Sequence, residues 1–223
     1  MRTATRQVVH RACSNSQMRS KTRDKVLKAG KDLFNEQSTA AVSIEDIAAA
    51  ARVSASDLHA HFRDKQEIIR ALFDEYIHAL DGDWRPAKDP AKNIAMVVKN
   101  LAELNKMRWE YRFVNRELIL LVRADSRIRA AYQATFERRF SELRVLVQQM
   151  VLQDLVRVPR LPRTIDDLLM NVWLISDSWF SHMELTGDPT DADHANRVND
   201  VLMVSLEPYL TDQGRELFEK FAQ

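Results

Sequence analysis

Between residues 43 and 65 apolar and polar positions alternate at helical spacing in short bursts. Ile44, Ile47, Ala48 and Ala51 fall on one face of a short helix, Leu58 and Phe62 on one face of a second, and Val53 sits in the reversal between them. Helix starts recur at near-equal intervals: Ser43 with Asp46, Ser54 with Asp57, and Asp64 with Glu67. In each pair an oxygen-bearing side chain precedes a carboxylate by three residues. That spacing predicts helix N-termini, because the first side chain satisfies backbone N–H groups that the helix leaves open, and the acid lies near the positive helix end. Upstream, Val26, Leu27, Ala29, Leu33 and Phe34 predict a helix over Thr22 to Gln37. Downstream, Ile68, Ile69, Leu72, Phe73, Tyr76 and Leu80 make one face of a longer, connecting helix. The run Asp81-Gly82-Asp83-Trp84-Arg85-Pro86 then punctuates the chain, and a domain boundary is expected there.

The remainder reads as long amphipathic helices. Ile94, Val97, Val98, Leu101 and Leu104 give one stripe, and Trp109 to Val122 a second helix, apolar through its later half. Ile128, Tyr132, Phe136, Phe140, Leu143, Val147, Met150 and Val151 mark a third. Val156 to Pro162 breaks the pattern. Two further helices are expected over Ile165 to Leu185 and His194 to Leu210, then a short one ending near Phe221. The expected fold is all-α, with an N-terminal helix-turn-helix domain followed by a C-terminal antiparallel helical bundle. It divides into a basic tail (1–20), a helix-turn-helix domain with its connecting helix (21–80) and a helical domain (81–223).

Composition narrows the function. With glycines only at 30, 82, 187 and 214, neither a Gly-rich phosphate loop nor a nucleophile elbow can be written, so no enzyme and no cofactor is expected. His59 and His61, two apart, point to different sides of a helix, so no metal site is expected. No apolar run is long enough to span a bilayer. The single cysteine, Cys13, has no internal disulfide partner, which fits a reducing, cytoplasmic setting. Net charge is +1, yet residues 1–80 hold 13 of the 33 Lys and Arg and 10 of the 32 Asp and Glu, so the basic excess lies at the N-terminal end. The tail carries Arg2, Arg6, Arg11 and Arg19 and no acid, which predicts a solvated segment, with a minor-groove arm as the alternative.

A helix-turn-helix presents its second helix to the DNA major groove. Here only side chains pointing away from Leu58 and Phe62 can meet DNA. The expected contact set is Arg23, Ser43, Ser54, Ala55, Ser56, Asp57, His59, Ala60 and Lys65. Arg23 and Lys65 suit phosphate, Ser56 and His59 suit base edges or phosphate, and Asp57 serves as the capping acid or accepts from cytosine N4.

Thr22-Arg23, Leu33-Phe34, Ile47-Ala48, Ala51, Val53-Ser54, Leu58, His61-Phe62 and Lys65 stand in one ungapped register that resembles the TetR family of bacterial transcriptional regulators. Ser38 and Arg52 stand where the family usually has glycine, His59 where it usually has tyrosine, and Asp57 replaces a small or hydroxyl residue. The resemblance implies a ligand-responsive repressor that binds a palindromic operator in double-stranded DNA as a homodimer, with the connecting helix as transmitter. It also implies a dimer interface on the last two long helices, here Leu169, Trp173, Ser176, Phe180, Val198, Leu202 and Leu206. A cavity for a small, largely apolar effector is implied in the bundle. Trp109, Phe113, Asn115, Arg116, Trp173, Asp177 and Phe180, apolar with a few polar groups, are its candidate lining. The alternative is a DNA-bound protein of the same fold that signals to a protein partner, as in nucleoid occlusion; a filled bundle with an exposed apolar patch would mark it.

Overall fold

The computed structural model describes residues 21–188 and 190–222; the basic tail expected at 1–20 lies outside them. Every element among these residues is helical apart from one isolated β-bridge, Val156 with Leu210. No helix among them is long and apolar enough to cross a membrane. The chain divides into two compact units after Glu75.

The first unit holds α1 (21–36), α2 (Ile44–Ala51), α3 (Ala55–His59) and the greater part of α4 (Lys65–Ala79). Its core is drawn from the apolar positions of the sequence pattern: Val26, Leu27, Phe34, Ile47, Leu58, Phe62, Ile68, Leu72 and Phe73 are all buried. Gly30 keeps α1 and α4 close, since a Cβ there would lie 3.1 Å from Ile68 Cγ2. The turn after α2 runs through Arg52 in the left-handed region (φ 55°, ψ 46°). Arg52 N–H donates to Ala49 O and Val53 N–H to Ala48 O, each at 3.1 Å, the paired closure that ends a helix and reverses the chain. An arginine in this conformation is strained where glycine would not be.

The second unit comprises α5 (Pro90–Glu110), α6 (Arg112–Ala124), α7 (Ser126–Leu152), α8 (Ile165–Thr186), α9 (Ala192–Asn196), α10 (Val198–Leu206), a 3₁₀ turn (Glu207–Tyr209) and α11 (Asp212–Phe221). Caps set these boundaries. Asp89 accepts from Ala91 N–H with Pro90 at the first helical position, Asp125 accepts from Arg127 and Ile128 N–H, and Thr164 with Asp167 forms a reciprocal capping box. One apolar cluster gathers Trp84, Ile94, Leu146, Met150 and Leu155. α6 packs on α7 and α8, α8 on α10, and α11 on α5.

Three details differ from the sequence expectation. The compact units part at Glu75 rather than after residue 80, because Tyr76 stacks with Tyr111 (5.9 Å between centroids) and bonds Asn115, both in the second unit. Trp109 lies in the last turn of α5 instead of starting the next helix, because the backbone leaves helical geometry at Tyr111 (φ −114°, ψ 36°). The segment expected as one helix over 194–210 is split at Arg197, where Arg197 N–H bonds His194 O and the turn tightens.

The C-terminus is stitched to the end of α7. Arg157 N–H donates to Tyr209 O at 2.7 Å, Thr211 N–H to Leu155 O at 3.1 Å and Thr211 Oγ1–H to Asp154 O at 2.5 Å. This approach needs Gly214, whose place taken by a Cβ would put that atom 2.1 Å from Leu155 O, a backbone atom that cannot swing aside. Gly214→Ala is therefore expected to lower stability by about 1–3 kcal/mol, the usual cost of overpacking, or to release α11. Thermal denaturation checks this; an unchanged melting temperature would refute the close approach.

Candidate nucleic-acid interface and ligand cavity

In the first unit the short helices exist because their ends are satisfied. Ser43 Oγ accepts Asp46 N–H at 3.1 Å, and Asp46 Oδ2 takes Ser43 N–H at 2.9 Å and Ser43 Oγ–H at 2.6 Å. The same hydroxyl chemistry recurs at α3, where Ser54 Oγ accepts Asp57 N–H at 3.0 Å and donates to Asp57 Oδ2 at 2.6 Å. Asp64 Oδ1 accepts Glu67 N–H at 2.9 Å at the start of α4. Hydrogen bonding to Ser43 lowers the pKa of Asp46, and the backbone bond from Glu67 lowers that of Asp64.

α3 turns Leu58 inward, while Ala55, Ser56, Asp57, His59 and the C-cap Ala60 are exposed. Ser43 and Ser54, by contrast, have their hydroxyls engaged in capping. The Arg23 guanidinium lies 5.7 Å above the Phe62 ring. Lys65 has an occupation that its position did not announce. Its Nζ donates to Thr39 O and Val42 O, both at 2.7 Å, so the ammonium ties down the α1–α2 connection and keeps one of its three donors in reserve.

Within the second unit lies a cavity of about 200 Å³. Its wall is mainly apolar, with Ile94, Leu101, Leu104, Leu146, Met150 and Leu168 among the lining. Among the polar exceptions two bonded groups stand out. Tyr132 O–H donates to Asp177, Trp173 Nε1–H donates to Asp177 Oδ2 at 2.8 Å, and Tyr76 O–H donates to Asn115 Oδ1 at 2.8 Å. Burial pushes the Asp177 carboxyl up, against the hydrogen bond from Tyr132 and the charge of Arg108, which pull it down. Burial also pushes the Tyr76 hydroxyl up to about 12 and raises Tyr132, the latter with help from the Asp177 charge.

Of the candidate lining, Asn115, Trp173 and Asp177 border the cavity, whereas Trp109, Phe113, Arg116 and Phe180 do not. The break at Tyr111 puts Trp109 and the α6 residues on separate helices. Trp109 packs on Phe180 (6.4 Å between centroids), Phe113 is fully buried, and Arg116 pairs with Glu117 at 3.1 Å. Sequence reasoning missed Tyr76, Arg108, Tyr132 and Arg139 as lining residues. The available signal was a polar group set into an apolar stripe, as Tyr132 is between Ile128 and Phe136. Arg139 both lines the cavity and grips the chain after α4, donating to Leu80 O and Asp81 Oδ1 at 2.6 Å and to Gly82 O at 3.1 Å.

The side chains expected at a dimer interface are covered within the single chain. Leu169, Ser176, Phe180, Val198 and Leu202 are buried, and Trp173 and Leu206 border the cavity. α8 and α10 turn other apolar residues outward: Met170 and Leu174 (55% exposed) on α8, and Val204 (74% exposed) on α10. The difference follows from α8 being apolar nearly all round, so that spacing alone does not say which stripe meets the subunit's own core.

A helix-turn-helix with an exposed second helix, joined in one chain to a helical unit that encloses a cavity, defines the class of DNA-binding transcriptional regulators. The model for bacterial regulatory proteins of the tetR family matches residues 26–72, and the model TetR, described as bacterial transcriptional repressor, matches residues 75–218. The chain belongs to the TetR family. Its fold is shared by a TetR-family transcriptional regulator from Marinobacter aquaeolei VT8 (TM-score 0.71, 24% identity, covering 90% of this chain and 98% of that one). A TetR-family regulator from Agrobacterium tumefaciens has it too (TM-score 0.63, 13% identity, 86% and 100% covered). So does SmeT, the repressor of the Stenotrophomonas maltophilia multidrug efflux pump SmeDEF (TM-score 0.57, 16% identity, 85% and 91% covered), which has also been solved in complex with triclosan. No curated protein shows a significant sequence match to the chain.

The raised pKa of Asp177 has a measurable consequence. An acid whose folded-state pKa lies above its unfolded value stabilises the fold below about pH 4 and loses that contribution as pH climbs through the folded value. Asp177→Asn keeps an acceptor for Tyr132 and Trp173 but removes the buried charge. Its melting temperature is expected to gain on the wild type progressively from about pH 4 upward. A constant difference across that range, read by thermal denaturation, would contradict the assignment.

Proposed function

We propose that this chain is a ligand-responsive repressor that binds a palindromic operator as a homodimer in the cytoplasm and releases it when a small, largely apolar molecule fills the cavity. The observation that carries the proposal is the cavity of about 200 Å³ with an apolar wall, in the unit matched by the repressor model. It favours an effector over the alternative of a DNA-bound protein that signals only to a protein partner, for which a filled bundle was the expected mark. The complex of SmeT, a protein of this fold, with the small molecule triclosan supports the same choice. α4, which crosses the division between the units, is the covalent route from effector to operator. The effector shifts the equilibrium only by the difference of its affinity for the DNA-bound and released states.

On the DNA side, the exposed Ala55, Ser56, Asp57, His59 and Ala60 are the reading surface, with Ser43 and Ser54 as the caps that hold the short helices. Arg23 and Lys65 supply phosphate contacts, Lys65 through its remaining donor. Binding to the chain's own upstream DNA across a salt series tests this division. Ser56→Ala is expected to alter discrimination between operator variants by about 1 kcal/mol. Lys65→Ala is expected to weaken all DNA alike while destabilising the fold by about 2–3 kcal/mol, because two charge-assisted bonds disappear. Loss of discrimination by Lys65→Ala equal to that of Ser56→Ala would reverse the roles.

The homodimer uses the outward stripes of α8 and α10, and two-fold symmetry matches the two halves of a palindrome. Leu174→Arg together with Val204→Arg is expected to yield a folded monomer by sedimentation, with operator affinity reduced more than tenfold, roughly the loss of one half-site's cooperation. A dimer that persists in this variant would assign the interface elsewhere.

A further inference from the structure

Arg108 on α5 and Asn115 on α6 both line the cavity. Arg108 Nε and Asn115 Nδ2 are buried donors with no hydrogen-bond partner, and no carboxylate among the described residues forms an ion pair with Arg108. Buried donors without partners are rare in folded proteins and point to a missing acceptor. The orientation of the amide follows from its neighbours. The Tyr76 hydroxyl gives its proton to Asn115 Oδ1 at 2.8 Å, so the amide oxygen is the end already engaged. Asn115 therefore presents its NH₂ as the open end.

The carboxylate in the same wall does not fill that role. Asp177 Oδ2 already takes bonds from Tyr132 and Trp173, and burial favours its neutral form. This leaves a guanidinium in an apolar wall without a bonded counter-charge, where an incoming anion gains more than it would in water. On the reading that the cavity binds the effector, we propose that the effector is an apolar molecule ending in a carboxylate, held by Arg108 and the Asn115 amide. The volume sets its size. A cavity of roughly 150 Å³ accepts a benzene ring, so about 200 Å³ accommodates a ring or a medium alkyl chain plus one carboxylate.

The test uses the full-length protein and three probes of equal chain length: octanoate, octan-1-ol and octylammonium. Thermal shift and the fluorescence of Trp84 and Trp173, which both border the cavity, report binding. Octanoate is expected to bind at least about tenfold more tightly than either counterpart. Arg108→Gln is expected to bring octanoate down to the affinity of octanol, whereas Arg108→Lys, which keeps the charge, retains a preference for the acid. Equal binding of octanoate and octanol, or tighter binding of octylammonium, would overturn the carboxylate assignment and leave the effector cavity standing. Failure of all three probes, and of phenylbutanoate, to bind at their solubility limits would overturn the effector reading itself. If Arg108→Gln does not fold, the wild-type series still decides between these outcomes.

Discussion

A helix of five or eight residues has almost no stability of its own, because most of its backbone groups lie in unsatisfied end turns. The reading head of this protein consists of two such helices, α2 and α3, so it depends on caps before it depends on anything else. Ser43 and Ser54 supply them, and the acid three residues on, Asp46 or Asp57, accepts its serine's hydroxyl and locks it in place. Only after those ends are closed can Leu58 and Phe62 reach the core and leave the opposite face of α3 for another molecule. Lys65 extends the same logic to the preceding loop, giving its ammonium to two carbonyls that no helix serves.

The second unit meets the opposite difficulty. Its helices are long enough to stand, and their task is to enclose space without collapsing onto it. Polar groups sit inside the wall in two bonded sets, Tyr132 and Trp173 on Asp177 and Tyr76 on Asn115, each of which ties two helices together. Buried polar networks of this kind specify a geometry more than they add stability. The empty volume and the network are thus parts of one arrangement.

Capping pairs were legible in the chain because they are local. Ser43 with Asp46, Ser54 with Asp57 and Asp64 with Glu67 lie three residues apart, and periodic apolar stripes placed the long helices to within a few residues. What escaped was non-local or unmarked. Lys65 finds its carbonyls 23 and 26 residues away, where no side-chain pattern points to them. The break at Tyr111 involves neither glycine nor proline, so Trp109 and Phe113 looked like neighbours on one helix. On α8 the apolar residues surround the helix, and only the packed structure separates Leu169, turned inward, from Leu174, turned outward.

Arg139 belongs to the cavity wall with one edge and to the end of α4 with the others, where it holds the carbonyls of Leu80 and Gly82. A guanidinium has five donors in a fixed plane, and here Nη1 and Nη2 donate to the carbonyls while the buried Nε–H has no partner. One side chain thus pins the backbone that leaves α4 and still carries an unspent donor.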